Sequence, residues 1–392
     1  MSTITPSRTR WGLTLATAGG AAALVAVVLL AFLCPTVTSS VHNLPVLVTG
    51  NGPATATLTT QLEKSGAFTI DSAADRATAV NAVETRNSYG AFVVADDGSG
   101  IEVVTASATS PVVVQIMNQA ATTISQALAQ QASGGQGAAV QAALTAGDLQ
   151  SVAAAAAAAA AAALKPAPAP KVSLTDVAPL SKQDPRGTGL ALLALHLAMG
   201  GMIGGVLISL VVTGVRRRLA AAGVYGVVGG LGLVGIVQGW LGILSGPYLL
   251  NVLGMSLGLF AIAITVVGLE ALLGKPGIPI GAVLTMFLGN PISSLTSPKE
   301  FLPGPWGEIG QWFVPGATGT LLRDLSYFPD AAMGIHWLVL LAWSSAGITL
   351  SMLGRHPDEE AVHLPSTLES AASDGESSAD AGTQERLADA TV

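Results

Sequence analysis

Glu270, His196 and His336 are the side chains most able to do chemistry, because each lies within or at the edge of a long apolar stretch. An ionisable group held in a bilayer marks a proton relay or a substrate path more often than a structural accident. Glu270 sits about one helical turn from the end of its stretch, where it can equally snorkel to the surface or pair with Lys275. His196 and His336 are single imidazoles among small residues, suited as well to helix packing as to proton transfer. The five histidines (42, 196, 336, 356 and 363) share no ligand spacing with one another or with Cys34, so no metal site is expected. The run Gly268 to Lys275 imitates a phosphate loop. Five residues separate its glycines and Pro276 follows the lysine, whereas that loop needs four residues and then Ser or Thr. No catalytic residue, cofactor or enzyme activity is expected, and no basic patch suggests nucleic acid.

The elements that would position these groups are defined by missing charge. Trp11–Cys34 is a run of 24 uncharged residues, Gly187–Val215 of 29, Leu219–Leu269 of 51, Pro276–Pro298 of 23 and Ala331–Gly354 of 24. A hydrocarbon core about 30 Å thick needs about 20 helical residues, and lipid tolerates no unpaired backbone groups. The 51-residue run would measure about 76 Å as one helix, so it divides at Ser245-Gly246-Pro247-Tyr248 into spans near 219–244 and 249–273. The fold class expected is an α-helical integral membrane protein with six transmembrane helices and a small extracytoplasmic α/β domain between helices one and two. The 276–298 stretch carries Asn290-Pro291, which should break a helix. It reads as a crossing that ends early or as a re-entrant segment.

Direction follows from the positive flanks. Arg8 and Arg10, Arg216-Arg217-Arg218, Lys275 and Arg355 fall on one face if six spans alternate, which favours a crossing at 276–298. Both termini are then cytoplasmic, and the 291–330 loop lies outside. Lys299 and Arg323 sit on the unexpected side, each balanced by neighbouring Glu300 or Asp324. Arg8 and Arg10 before an apolar run also resemble a signal peptide, but the run is long and no small-x-small site follows Cys34, so an uncleaved anchor is expected. One cysteine allows no internal disulfide.

The organisation expected is a cytoplasmic N-terminus (1–10), helix one (11–34), the α/β domain (35–133), an Ala/Pro-rich stalk (134–186), five spans (187–354) and an acidic cytoplasmic tail (355–392). In the domain, Leu44–Val48, Phe68–Ile70, Gly90–Ala95 and Ile101–Thr105 read as strands. The last two flank a hairpin signal at Asp96-Asp97-Gly98-Ser99-Gly100. Ala54–Ser65, Ala73–Thr85 and Val112–Gln131 read as helices. The stalk holds a flexible Gly134–Gly137, eleven alanines at 153–163 and a stiff Lys165–Lys171 linker, and serves as a spacer or a coiled-coil partner surface. The tail carries nine acids against Arg355 and Arg386, which accounts for the whole formal charge of -7, and it should be disordered. It is a solubilising terminus or a partner-binding tail. The 291–330 loop is rich in Pro and Trp. Short helices are expected over Glu308–Leu325, dipping into the outer leaflet and broken at Pro315-Gly316.

Asp184-Pro185-Arg186-Gly187, Gly289-Asn290-Pro291, Pro298-x-Glu300-x-Leu302-Pro303, Trp306-Gly307-x-Ile309-Gly310-Gln311 and Pro315-Gly316-Ala317 resemble the permease subunits of type-2 ABC exporters, in the phage-infection-protein-like branch. The resemblance covers roughly 11–354 in layout and 184–330 in motifs. It implies a homodimer or paired permease in the lipid bilayer, a separate ATP-binding subunit at the cytoplasmic face, and outer re-entrant helices before the last span. The candidates it and the charge pattern leave are Glu270, His196, Asn290, Pro291, Glu300, Trp306, Gln311 and Arg323 for transport or gating. Arg216, Arg217 and Arg218 are the candidates for cytoplasmic coupling. The leading expectation is export of a hydrophobic or amphipathic substrate, gated by 291–330. The alternatives are a non-transporting surface protein whose outer domain binds a ligand, phage or envelope partner, and a proton-coupled carrier using Glu270 or His196.

Overall fold

The computed structural model describes residues 38–95, 99–146, 171–295 and 297–354, with seven further positions between 12 and 33. Most of the 11–34 stretch, the alanine run, the linker up to residue 170 and the acidic tail lie outside the described residues. Two units are present. Among the described residues, one is a five-stranded sheet with helices on both faces, and the other is a bundle with four helices long and apolar enough to cross a membrane.

The α/β domain runs β1 (Leu44–Thr49), α1 (Pro53–Ser65), β2 (Phe68–Ser72), α2 (Arg76–Glu84), β3 (Gly90–Val94), β4 (Gly100–Thr105), α3 (Pro111–Ala146) and β5 (Lys171–Asp176). The strand order is β2-β1-β3-β4-β5. β1 pairs in parallel with both β2 and β3, β3 with β4 antiparallel, and β4 with β5 in parallel. The chain steps from β1 to β2 in one direction and from β2 to β3 in the other. Right-handed crossovers therefore put α1 and α2 on opposite faces. The period-two side-chain pattern follows. Val46, Phe92, Ile101 and Val103 face Leu58, Leu62, Val113 and Met117 of α1 and α3, while Ala91 and Val104 face Ala79 and Val83 of α2. Asp75 caps α2, its side chain accepting from Thr78 N at 2.7 Å, which starts that helix at residue 76 rather than 73.

Two boundaries differ from the sequence reading. Residues 171–176 are not stalk but the fifth strand, joined to β4 from Gly100↔Lys171 to Thr105↔Asp176. This is an edge strand with Leu174 about half exposed, so it lacks the apolar signal of an inner strand. It is held mainly by the ladder, with Val172 packed against the core and the Thr175 hydroxyl donating to Glu102 at 2.6 Å. α3 continues as helix through Gly134–Gly137. Each glycine costs about 1 kcal/mol against alanine, which the alanine-rich flanks offset.

In the bundle, α4 is Thr188–Val211. α5, Val215–Val234, continues as a π-turn to Trp240. α6 is Tyr248–Leu273, and α10 is Gly334–Leu353. α6 is the centre, with the other three packed around it. Small residues allow the approach: an added Cβ at Gly201 or Gly205 would meet Ile262 or Ala263, one at Gly230 would meet Ser256, and one at Gly268 would meet Gly347. Gly232, two residues beyond Gly230 on α5, faces open space. Asp184 of the Asp-Pro-Arg-Gly motif accepts from Leu190 N at 2.9 Å and from the Thr188 hydroxyl, supplying an acceptor to the otherwise orphaned first turn of α4.

Between α6 and α10 the chain is irregular. α7, Gly277–Ala282, passes into a π-turn at Val283–Leu288 and a 3₁₀ turn at Pro291–Ser293. Asn290-Pro291 therefore tightens this helix without ending it, one turn after the backbone has widened. Gly277 abuts Leu269 near the end of α6, and beyond the helix Phe301 is buried in the core of the α/β domain. The apolar helix Gly277–Ser293 is shorter than the four long ones. α8 (Trp306–Gln311) and α9 (Val314–Tyr327) follow. The expected break at Pro315-Gly316 falls instead at Trp312-Phe313. Pro315 occupies the first turn of α9, where its missing N–H has no partner to lose. α9 is buried along α6: Thr318 meets Gly258 and Leu321 meets Gly254, so it reaches about 15 Å along α6 from Tyr248.

Candidate functional site

The α/β domain and the bundle meet at a polar cavity of about 380 Å³. From the domain side, the turn between α2 and β3 supplies Arg86 and Tyr89. Arg86 has φ of 60°, a left-handed conformation that L-residues other than Asn and Asp seldom adopt and that costs about 1–2 kcal/mol. Strain of this kind persists where surrounding contacts enforce it. Here the Ser88 hydroxyl donates to Pro45 O at 3.1 Å and Tyr89 N donates to the same carbonyl at 3.0 Å. The turn is thereby pinned to the start of β1. Arg86 then lies over the Phe328 ring, 5.5 Å from its centroid, and donates to Asp324.

From the bundle side, α9 carries Thr320, Arg323 and Asp324, the first turn of α10 carries His336, and the segment before α8 carries Lys299 and Glu300. Asp324 is the hub. One carboxylate oxygen accepts from Arg86 and the other is 3.9 Å from His336 Nε2. Arg323 is buried and donates through Nη2 to Leu295 O at 2.7 Å. Gln311 donates to Ser293 O at 2.8 Å and accepts from Thr320 at 2.7 Å. Arg86 Nε, Arg323 Nε and His336 Nδ1 are buried without a partner.

Tyr89 donates its hydroxyl to Glu300 at 2.6 Å. Burial, and then the Glu300 carboxylate, push its phenol well above the ordinary value of 10.0. The phenol therefore remains a donor, and the stability tied to its proton is fully present below about pH 10 and lost as pH rises through the higher folded value. Tyr89→Phe is expected to lower stability by about 1–2 kcal/mol at neutral pH, since a charged acceptor loses its donor. It should also remove this part of the alkaline loss. Thermal unfolding followed from neutral to alkaline pH checks both, and an unchanged alkaline limb would count against the assignment.

Of the sequence candidates, Glu300, Gln311 and Arg323 come together here. Asn290 O accepts from the Ser293 hydroxyl at the 3₁₀ turn beside Pro291, and Trp306 is exposed at the start of α8. His196 is exposed on α4 with its Nδ1 2.8 Å from Leu192 O, away from the cavity. Glu270, for which the sequence allowed either snorkelling or a pair with Lys275, lies at the other end of the bundle and pairs with Arg218. Arg218 reaches inward, whereas Arg216 and Arg217 are exposed. The charges expected to balance locally do not: Lys299 pairs with Glu308 at 2.6 Å and Asp324 with Arg86. Sequence reasoning missed Arg86 and Tyr89. Charged and aromatic residues are ordinary in a polar domain, and only their turn beside Pro45 singles them out.

Neither a protein-family model, nor a curated protein, nor a solved structure matches this chain.

Proposed function

We propose that the protein is a permease subunit of an export system in the bacterial plasma membrane, moving a hydrophobic or amphipathic substrate with a separate ATPase. The observation that carries this reading is α9. Both its flanks return to the α/β domain, through Phe301 and Phe328, yet the helix is buried among α4, α6 and α10. A helix that dips into a bundle and leaves on the same side suits an outer gate before the last span, as the family resemblance implies. In this reading Gly277–Ser293 and the turns to Phe301 make the fifth crossing, and Trp11–Cys34 makes the first. The arginine-bearing ends then face the cytoplasm. Exposed Trp240, Tyr248 and Trp306 supply interfacial aromatics on the outer side. A homodimer or paired permease would complete the path.

The test follows from the division of the arginines. Arg216→Ala with Arg217→Ala should leave the fold intact and abolish co-purification of an ATPase with the full chain. If the wild type captures no ATPase and deletion leaves efflux of lipids and drugs unchanged, the reading fails. One observation favours the second reading, a surface protein that does not transport. Only Val212–Gly214 separate α4 from α5, leaving little for an ATPase to push against. That reading predicts capture of an envelope partner by the outer domain, unaffected by the arginine changes.

A further inference from the structure

We infer that the cavity between the α/β domain and the bundle binds a phosphate group, either free or on a lipid headgroup. The lining carries Arg86, Arg323 and Lys299 with Glu300 and Asp324, and Lys299 is itself paired with Glu308. Both carboxylates are already engaged, Asp324 by Arg86 and Glu300 by Tyr89. Among the described residues no carboxylate forms an ion pair with Arg323, although its side chain is only 8% exposed. A guanidinium stays protonated, so this buried charge lacks a paired counter-charge.

The unpaired donors point the same way. Arg86, Arg323 and His336 come from three elements and line one cavity, and Arg86 Nε, Arg323 Nε and His336 Nδ1 are shielded from solvent without a partner. His336 can offer Nδ1 as a donor while Nε2 faces Asp324, since its protonation state or tautomer adjusts to both neighbours. Three donor-bearing side chains around one cavity suit a tetrahedral anion with three terminal oxygens better than a planar carboxylate with two. Guanidinium groups match phosphate geometry through charge-assisted hydrogen bonds. The volume is at the lower end of small-molecule sites, large enough for a phosphate with a short polar substituent. The inference stands on this cluster alone and does not require transport.

The experiment uses the full chain in a neutral detergent, at constant ionic strength held with chloride. Inorganic phosphate and dioctanoyl phosphatidic acid are titrated separately, with dioctanoyl glycerol as the uncharged control. Binding is read by calorimetry and by the unfolding temperature. A saturable heat and a rise in unfolding temperature are expected with phosphate, with phosphatidic acid or with both, and none with the glycerol lipid. Response to inorganic phosphate identifies a free ligand as sufficient, and response to the lipid alone identifies a headgroup. Arg323→Gln should abolish binding and His336→Gln should weaken it about tenfold or more. Should Arg323→Gln fail to fold, Arg323→Lys keeps the charge without the Nε donor and should also bind about tenfold more weakly. Absence of saturable binding, or equal affinity in wild type, Arg323→Lys and His336→Gln, overturns the inference.

Discussion

Replacing Asp324 by asparagine is expected to destabilise the protein by about 3–5 kcal/mol, the range for removing one partner from a buried ion pair. The side chain is 3% exposed and is the acceptor for Arg86 across the seam. Without its charge, Arg86 and Arg323 face each other in one cavity with only Glu300 nearby. Arg86→Met alone should be less severe, because Asp324 keeps His336 as a neighbour. The Arg86→Met, Asp324→Asn double variant should recover part of the loss, as paired groups in contact are not additive. Unfolding of the four proteins in one detergent gives the coupling energy. A coupling near zero would mean that the seam is held by its other contacts, among them Phe301, Phe328 and the Tyr89–Glu300 hydrogen bond, with the ion pair incidental. Limited proteolysis supplies an independent readout, since a loosened seam should expose the 297–305 segment to cleavage while the bundle remains intact.

Arg218→Ala is the second large effect, about 3 kcal/mol or more, at the opposite end of the bundle. Arg218 Nε donates to Val212 O at 2.7 Å, Nη2 donates to Ser209 O at 3.0 Å, and Nη1 pairs with Glu270 at 2.5 Å. One side chain thus closes the last carbonyls of α4, where a cation also complements the helix dipole, and neutralises the acid near the end of α6. Lysine at 218 should restore only part of the stability, because a single ammonium cannot reach three acceptors set in a planar fork. The pair also bears on mechanism. Proton-coupled transport through Glu270 requires that acid to release and take up protons, so Glu270→Gln would abolish transport. With Arg218 holding the carboxylate, Glu270→Gln is expected to lose stability and, under the permease proposal, to leave export intact. Substrate flux in vesicles, compared with unfolding temperature, separates the two outcomes.

The signals that were legible in the chain were local. Leu58 and Leu62, four apart, place α1 on the sheet, and Ser245-Gly246-Pro247 divides the longest apolar run between α5 and α6 where the structure divides it. The Gly90–Ala95 and Ile101–Thr105 runs pair antiparallel as their hairpin signal implies. β5 was illegible because an edge strand needs few apolar residues. The helix start at Val314 was misplaced because Pro315 punctuates both the end of one element and the first turn of the next.

Sequence alone determined that the chain carries helices suited to a membrane beside a small α/β domain. Charge-free runs of bilayer length must satisfy their own backbone wherever they are buried, and the two- and four-residue periods need only near neighbours. The tertiary structure alone decided which ionisable groups share an environment. Arg86 and Asp324 are 238 residues apart, and no spacing rule connects a turn after α2 to the last turn of α9. Their meeting depends on how β1 anchors one and how the glycines of α6 admit the other. The same distinction pairs Glu270 with Arg218 across 52 residues and buries Arg323, a gating candidate in the sequence, beside Asp324 in the seam.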